Sequence, residues 1–365
     1  MIDISVSYDE ILGKIKSIDP IAYGATRNFS DGALTHLSPY ISRGVISTKQ
    51  VMEHLLAMGL QPYQTHKLIQ ELAWRDYWQQ TWIVKGDEIN KDLKREQPEV
   101  ENKQIPKAIL DADTGINAID QAIQSFYQTG YMHNHMRMYI AALACNSAKS
   151  HWLLPAQWMY FHLLDGDWAS NGLSWQWVAG SNSGKKYTAN QENINKYFYT
   201  EQQQTILDVP YDELPTMKVP AILQNLVHPQ LKTTLPNVAP LNINEKWPTC
   251  IYNTYNLDPN WRKELSVNRV LLLEPSHFEQ YPISSKVLNF ILALAHNIKD
   301  IQVFIGEFDE LNMVLESKIT YYKEHPTAHH YVGTQDDRDW MFSVKGYYPS
   351  FFNFWKRCKK ELPAP

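Results

Sequence analysis

A mainly α-helical chain that closes with a small α/β domain is what three features of this 365-residue sequence predict. Apolar residues recur at helical spacing through most of residues 1–200, prolines crowd residues 210–259, and from Arg269 short apolar runs alternate with amphipathic stretches. The expected organisation is a helical domain over 1–200, a Pro-rich connector over 201–265 and an α/β domain over 266–365.

Composition bounds the classes. With 44% hydrophobic and 12% aromatic residues the chain can fill a large core. No apolar run reaches the roughly 18 residues of a membrane span, and the start MIDISVSYDEILGK has neither a basic nor an apolar signal region. A cytoplasmic protein without a membrane partner is therefore expected. Cys145, Cys250 and Cys358 lie far apart, which argues for free thiols over disulfides, and no residue is assigned to a metal. Residues 1–200 carry 18 Lys and Arg against 20 Asp and Glu, and residues 201–365 carry 16 against 19. Neither half is basic, so contact with nucleic acid would rest on a local patch.

Each element has its own signal. Residues 7–18 read as a helix with Ser7 as cap and Pro20 beyond its end. Thr35 and Ser38 each stand where a helix can begin, and Ser47 reads as the cap of Thr48 to Met58. Helix starts suit an anion such as a diphosphate, although ordinary capping explains the same residues. QTHKLIQELAWRDYWQQTW (64–82) is a long helix with Glu71, Trp74, Arg75, Trp78 and Trp82 on one face. Two charges inside an indole stripe need partners, which marks Glu71 and Arg75 as candidate site residues. Asp113 or Thr114 is expected to cap a helix over 116–127 that ends at Thr129-Gly130. A helix from Met136 to Ser150 follows, with Cys145 on a close-packed face.

The prolines at 210, 215, 220, 229, 236, 240, 248 and 259 exclude long helix or central strand there. Beyond them, strands are expected from Arg269 and over 301–307, a helix over 283–296, and another over 309–317. A strand over 318–322 and a helix over 350–359 complete the chain. Glu274-Pro275-Ser276-His277 follows the first strand where a dinucleotide loop would need glycines. His325, His329 and His330 lack a carboxylate or Cys at ligand spacing.

The stretch 129–180 concentrates chemistry: TGYMHNHMRM, Trp152, and LLDGDWASNGLSWQWVAG interleave an Arg, two aspartates and an Asn with indoles. Together with Tyr23 and Arg27, THLSPYISRGVIS (35–47) and ELAWRDY (71–77), these strings resemble the FAD-binding catalytic domain of the photolyase/cryptochrome family. The resemblance leaves out the family's N-terminal α/β antenna domain, where the C-terminal domain is expected to pack instead.

The resemblance implies FAD as cofactor. It assigns Tyr23, Thr35, His36, Leu37, Ser38 and Arg75 to the cofactor, the first residues of this set to its phosphates. It assigns Asn134, Arg137, Asp165, Asp167 and Asn171 to the flavin side. Asn171 matches the residue facing flavin N5, where its amide can turn donor or acceptor. Trp175 and Trp152 match the proximal and middle tryptophans of the electron chain; the distal one has no counterpart, and Trp158 or a Tyr is the substitute considered. Glu71, Trp74, Asn134, Met138 and Trp177 match the contacts to a flipped pyrimidine dimer. His135 and Tyr131 depart from the usual Arg and Trp of repair enzymes. The expected activity is a light-dependent photolyase acting on damaged DNA. The alternative is a cryptochrome-like photosensor with a protein signalling partner, and a third is a non-photochemical FAD module.

Overall fold

The computed structural model of the chain describes residues 4–316 and 319–363. Helices α1 (Tyr8–Lys16), α2 (Pro20–Thr26), α3 (Ser38–Ser42), α4 (Thr48–Ala57) and α5 (Pro62–Lys85) come first. Strand β1 (Ile105–Pro106) precedes α6 (Lys107–Leu110), α7 (Asn117–Thr129), α8 (Asn134–Ala142), α9 (Leu153–His162), α10 (Trp168–Ala179) and α11 (Gln191–Phe198). Then come β2 (Leu226–Val227), β3 (Thr249–Tyr252), β4 (Asn268–Leu273), α12 (Pro275–Gln280) and α13 (Ser285–Ala295). The chain ends with β5 (Ile301–Ile305), α14 (Phe308–Val314), β6 (Thr320–Lys323), β7 (Thr334–Asp336) and α15 (Phe351–Cys358). Ser317 and Lys318, where one expected helix ends and an expected strand begins, lie outside the described residues. Among the described residues no helix is long and apolar enough to cross a membrane.

Local chemistry explains most boundaries. Ser47 caps α4 through a reciprocal box, its hydroxyl accepting from Gln50 N at 3.0 Å while Gln50 Oε1 accepts from Ser47 N at 2.9 Å. Ser7 occupies the N-cap of α1 without a side-chain cap bond. The cap of α7 differs from expectation: Ile116 is the N-cap, and Asp120, one turn inside, reaches back to accept from the N–H groups of Thr114 and Gly115. α8 runs into a π-turn at Leu143–Ser147, so the helix expected to Ser150 changes pitch there. Cys145 is buried in that turn, and burial pushes its thiol pKa up.

The chain forms two compact units that cut across the expected boundaries: residues 1–24, 35–84 and 232–365 make the first, and 25–34 with 85–231 the second. The first unit contains a five-stranded parallel sheet ordered β5-β4-β3-β6-β7. Its central strand, β3, lies in the stretch expected to be connector. Its four residues directly follow Pro248 and end well before Pro259, and all four are buried, so no proline falls inside the strand and none of its ladder bonds is lost. The run in β4 is buried throughout, as a parallel strand covered on both faces requires.

Inside this unit the C-terminal part bonds to helix α5. Asp76 of α5 accepts from Met341 N at 3.0 Å, Tyr77 OH donates to Tyr348 O at 3.0 Å, and Gln80 Oε1 accepts from Gly346 N at 2.8 Å. Gly44, at φ +64°, lies so close to the chain after β3 that an added Cβ would fall 2.3 Å from Tyr255 O.

Candidate functional site

In the second unit the stretch 129–180 folds so that its charged residues meet. Gly130 ends α7 with φ 72°, and an added Cβ there would stand 2.7 Å from Leu164 Cγ. Its carbonyl accepts from Leu164 N at 2.9 Å, which holds the 163–167 turn beside the start of α8. Arg137 then meets Asp165: Nη2 lies 3.1 and 2.9 Å from the two carboxylate oxygens, and Nε donates to Met132 O at 2.9 Å. The Asp165 side chain is 3% exposed and that of Arg137 20%, so the pair is partly desolvated and geometrically fixed.

Asp167 caps α10, accepting from Ala169 N at 3.1 Å and from the Ser170 hydroxyl at 2.8 Å. Asn171 is buried and its Nδ2 donates to Ala156 O at 2.8 Å. A carbonyl can face only the NH2 end of an amide. The expected freedom of Asn171 to reorient is therefore replaced by one orientation, with Oδ1 as the remaining acceptor.

Trp152 and Trp175 are both buried. Trp152 donates from Nε1 to Asp92 Oδ1 at 2.7 Å, and the ring beside it is Trp168, with centroids 6.5 Å apart. Trp168 donates to Asn90 Oδ1 at 2.7 Å. Trp158 belongs to a different cluster, donating to Tyr127 OH and meeting Phe126 edge-on. Sequence reading passed over Asp92 and Trp168, because Asp92 lies in a charged stretch without periodicity and its partner is 60 residues away.

The positions matching dimer contacts lie nearer the surface of this unit. Asn134 is exposed, Met138 half-buried and Trp177 39% exposed. Tyr131 lies under the Arg137 guanidinium at 5.9 Å, and burial pushes its pKa up to about 12. His135 sits among Tyr139 and Tyr197 rings at 4.5 and 4.6 Å with Nδ1 on Asn28 O. Burial lowers its pKa, so it does not replace the cation of an Arg. A cavity of about 300 Å³ opens beside the π-turn, lined among others by Tyr139, Asn146 and Leu207; none of the expected site residues lines it.

The first unit holds the other candidates. Arg75 reaches from α5 to α3, bonding Ser42 Oγ at 2.7 Å and Ser38 O at 3.5 Å. The helix starts expected at Thr35 and Ser38 reduce to α3, five residues long, whose N-cap position is Leu37 and carries no side-chain cap. Thr35 Oγ1 accepts from Leu37 N at 3.4 Å. His36 takes a positive φ, and its pKa is lowered by burial and then by Lys14. Tyr23 is half-buried on α2. Glu71 pairs with Lys67 at 2.6 Å across one helical turn. Trp74 lies flat on Phe351 of α15, with centroids 3.7 Å apart and planes within 10°. Asp76, on the adjoining face, is fully buried between Thr48 and Met341, and burial raises its pKa. No spacing rule announced Asp76 or Phe351, because their partners come from distant sequence.

At the carboxyl ends of β3 and β6, where the strand order reverses, open parallel sheets often bind ligands. The cavity there, bordered by Asn256, His325 and Arg338, measures only about 60 Å³, too small for a nucleotide.

Residues 68–208 match the family described as the FAD binding domain of DNA photolyase. The deoxyribodipyrimidine photo-lyase of Alkalihalophilus pseudofirmus is 27% identical over 161 residues, which cover 43% of this chain and 34% of that protein. That of Salmonella typhimurium is 30% identical over 169 residues, covering 44% and 35%. The match thus spans about a third of the length of these relatives. Among solved structures, a Synechocystis cryptochrome aligns with TM-score 0.49 and 21% identity, covering 54% of this chain and 44% of its own. The matched segment is similar to flavin-binding helical domains. Among these it is similar to the FAD-binding domains of the photolyase/cryptochrome family.

Proposed function

We propose that this chain is a blue-light-dependent FAD flavoprotein of photolyase type that splits cyclobutane pyrimidine dimers in damaged DNA. The observation that carries the reading is the Arg137–Asp165 pair, in which Nη2 reaches both carboxylate oxygens, held inside the segment that matches the FAD-binding domain. The donor set suits a flavin ring. Arg137 supplies a permanent cation for an electron-rich ring, Asp165 moderates it, and the fixed Asn171 amide offers Oδ1 to a ring N–H. Tyr23, Thr35, His36, Leu37, Ser38 and Arg75 would hold the remainder of the cofactor, with Asn134 and Asp167 beside the ring.

Bound, reduced FAD excited by blue light would supply the electron that opens a dimer. The chain's own residues would position and refill: Glu71, Asn134 and Met138 for the pyrimidine edges, Trp74 and Trp177 for stacking, and Trp175 with Trp152 as electron donors. The naming of the relatives as deoxyribodipyrimidine photo-lyases supports this activity.

A second reading, an FAD photosensor that signals to a protein partner without repair, is favoured by one observation. Phe351 already covers a face of Trp74, the indole expected to stack on the substrate.

The deciding experiment is light-dependent repair of a dimer-bearing oligonucleotide by the FAD-loaded chain. Repair that needs light and is lost in Trp177→Ala supports the first reading. Bound FAD without repair supports the second, and a chain that takes up no FAD on refolding with it overturns both.

A further inference from the structure

We infer that Asp92 is the proton acceptor for Trp152 when that indole is oxidised, an inference that rests on the light-driven electron transfer proposed above. Trp152 is 0% exposed, and a positive charge left on a fully buried ring is costly. The Nε1–H of Trp152 points at Asp92 Oδ1 from 2.7 Å, short for an N–H···O bond and in the range of charge-assisted ones. Both partners are clamped by one residue. Gln97 donates its backbone N–H to Asp92 Oδ2 at 2.8 Å, and its Oε1 accepts from Trp152 N at 2.8 Å. Gln97 is itself fixed by its Nε2 on Ser150 O at 2.9 Å.

The neighbouring indole provides the contrast. Trp168 makes a bond of the same 2.7 Å length, but to the amide oxygen of Asn90. An amide oxygen accepts a hydrogen bond and does not take the proton, whereas a carboxylate does both. Of these two neighbouring indoles, tilted 32° to each other, Trp152 is the one bonded to a group that can take its proton, so the electron hole settles there. The Asp92 side chain is 19% exposed and has His151 Nε2 at 3.4 Å, so the acquired proton lies within reach of solvent.

The step balances. One electron leaves the Trp152 indole for the oxidant, which under the reading above would be the excited flavin by way of Trp175. The Nε1–H bond breaks and an O–H bond forms on Asp92, leaving a neutral indolyl radical beside a neutral carboxylic acid. Return of the electron returns the proton.

The test is flash transient absorption with electron paramagnetic resonance on the full chain loaded with FAD. The wild type should show a deprotonated tryptophan radical whose formation slows in D2O. In Asp92→Asn, which keeps an oxygen for the hydrogen bond, the radical should stay protonated and recombine about tenfold faster. Asp92→Glu should restore the deprotonated signal, which a merely structural role for the carboxylate would not do. A protonated wild-type radical overturns the inference, as does an Asp92→Asn variant with unchanged protonation and lifetime. The same flash run with a dissolved ruthenium(II) polypyridyl complex and a one-electron quencher needs no bound FAD. Failure of the flavin reading and failure of the Asp92 inference are thereby told apart, and if Asp92→Asn does not fold, the wild-type radical decides.

Discussion

In the second unit Trp152 and Trp168 lie side by side with each indole nitrogen bonded to a side chain of residues 90–92, whereas in the first unit Trp74 lies flat against Phe351. The first arrangement orients polar edges and leaves chemistry available at a nitrogen. The second uses up a ring face. All three residues come from indole-rich helical sequence, so the residue type does not decide which fate follows. The partner does: Asp92 and Asn90 precede Trp152 and Trp168 within one unit, while Phe351 arrives from the far end of the chain. The comparison also separates the two candidate layers. The Arg137–Asp165 pair, proposed for the flavin, joins two segments of one motif, and Trp74, proposed for the dimer, is covered by the C-terminal helix.

The sharpest way to break this picture is at its charged centre. Arg137→Ala leaves the Asp165 carboxylate buried without its cation, and the loss of one partner of such a pair costs about 3–5 kcal/mol. The second unit should melt at clearly lower temperature in calorimetry, and the purified protein should lose its flavin absorbance; unchanged melting and flavin content would remove Arg137 from the site. Next comes the covered indole. Phe351 is 2% exposed, so Phe351→Ala should destabilise by about 3 kcal/mol and shift Trp emission to the red as Trp74 meets water. If α15 is what blocks the dimer face, the same variant binds a dimer-bearing oligonucleotide more tightly than wild type; equal binding would show that the stack is not the obstacle.

The smallest expected effect touches both units alike. Burial lowers His133 in the second unit and His277 in the first, each to about 4. The unfolded chain protonates these imidazoles near pH 6.5 and the folded chain does not. Stability is therefore full above about pH 6.5, falls as the pH drops toward 4, and levels below it, by about 1–2 kcal/mol per histidine at pH 5. Thermal melts between pH 7 and 5 check this, and a midpoint that is flat or rises on acidification would contradict it.

Much of the fold was legible because its signals are local. The capping box at Ser47, the αL glycine after Thr129, the length of α5 and the apolar run of β4 each follow from a few adjacent residues. β3 was missed because a four-residue run in a proline-rich stretch carries too little pattern, and only pairing with β4 and β6 makes it a strand. The N-cap of α7 is Ile116 instead of Asp113 or Thr114, and Asp120 ties the preceding loop to the helix because a side chain can reach back as well as forward. Of the candidate site, Arg137, Asp165 and Asn171 were legible only as residue types in a dense motif. The bond of Asn171 to Ala156, the carboxylate beside Trp152 and the ring on Trp74 were not, since each partner is set by how helices meet.

The sequence by itself determined the helical periods, the chemistry of residues 129–180 and their similarity to a flavin-binding domain, all of which depend on spacing along the chain. Only the tertiary structure decided which atoms those residues have left to use. Hydrogen bonds and ring stacking act over a few ångströms, and distances of that size between residues far apart in sequence exist only once the chain has folded.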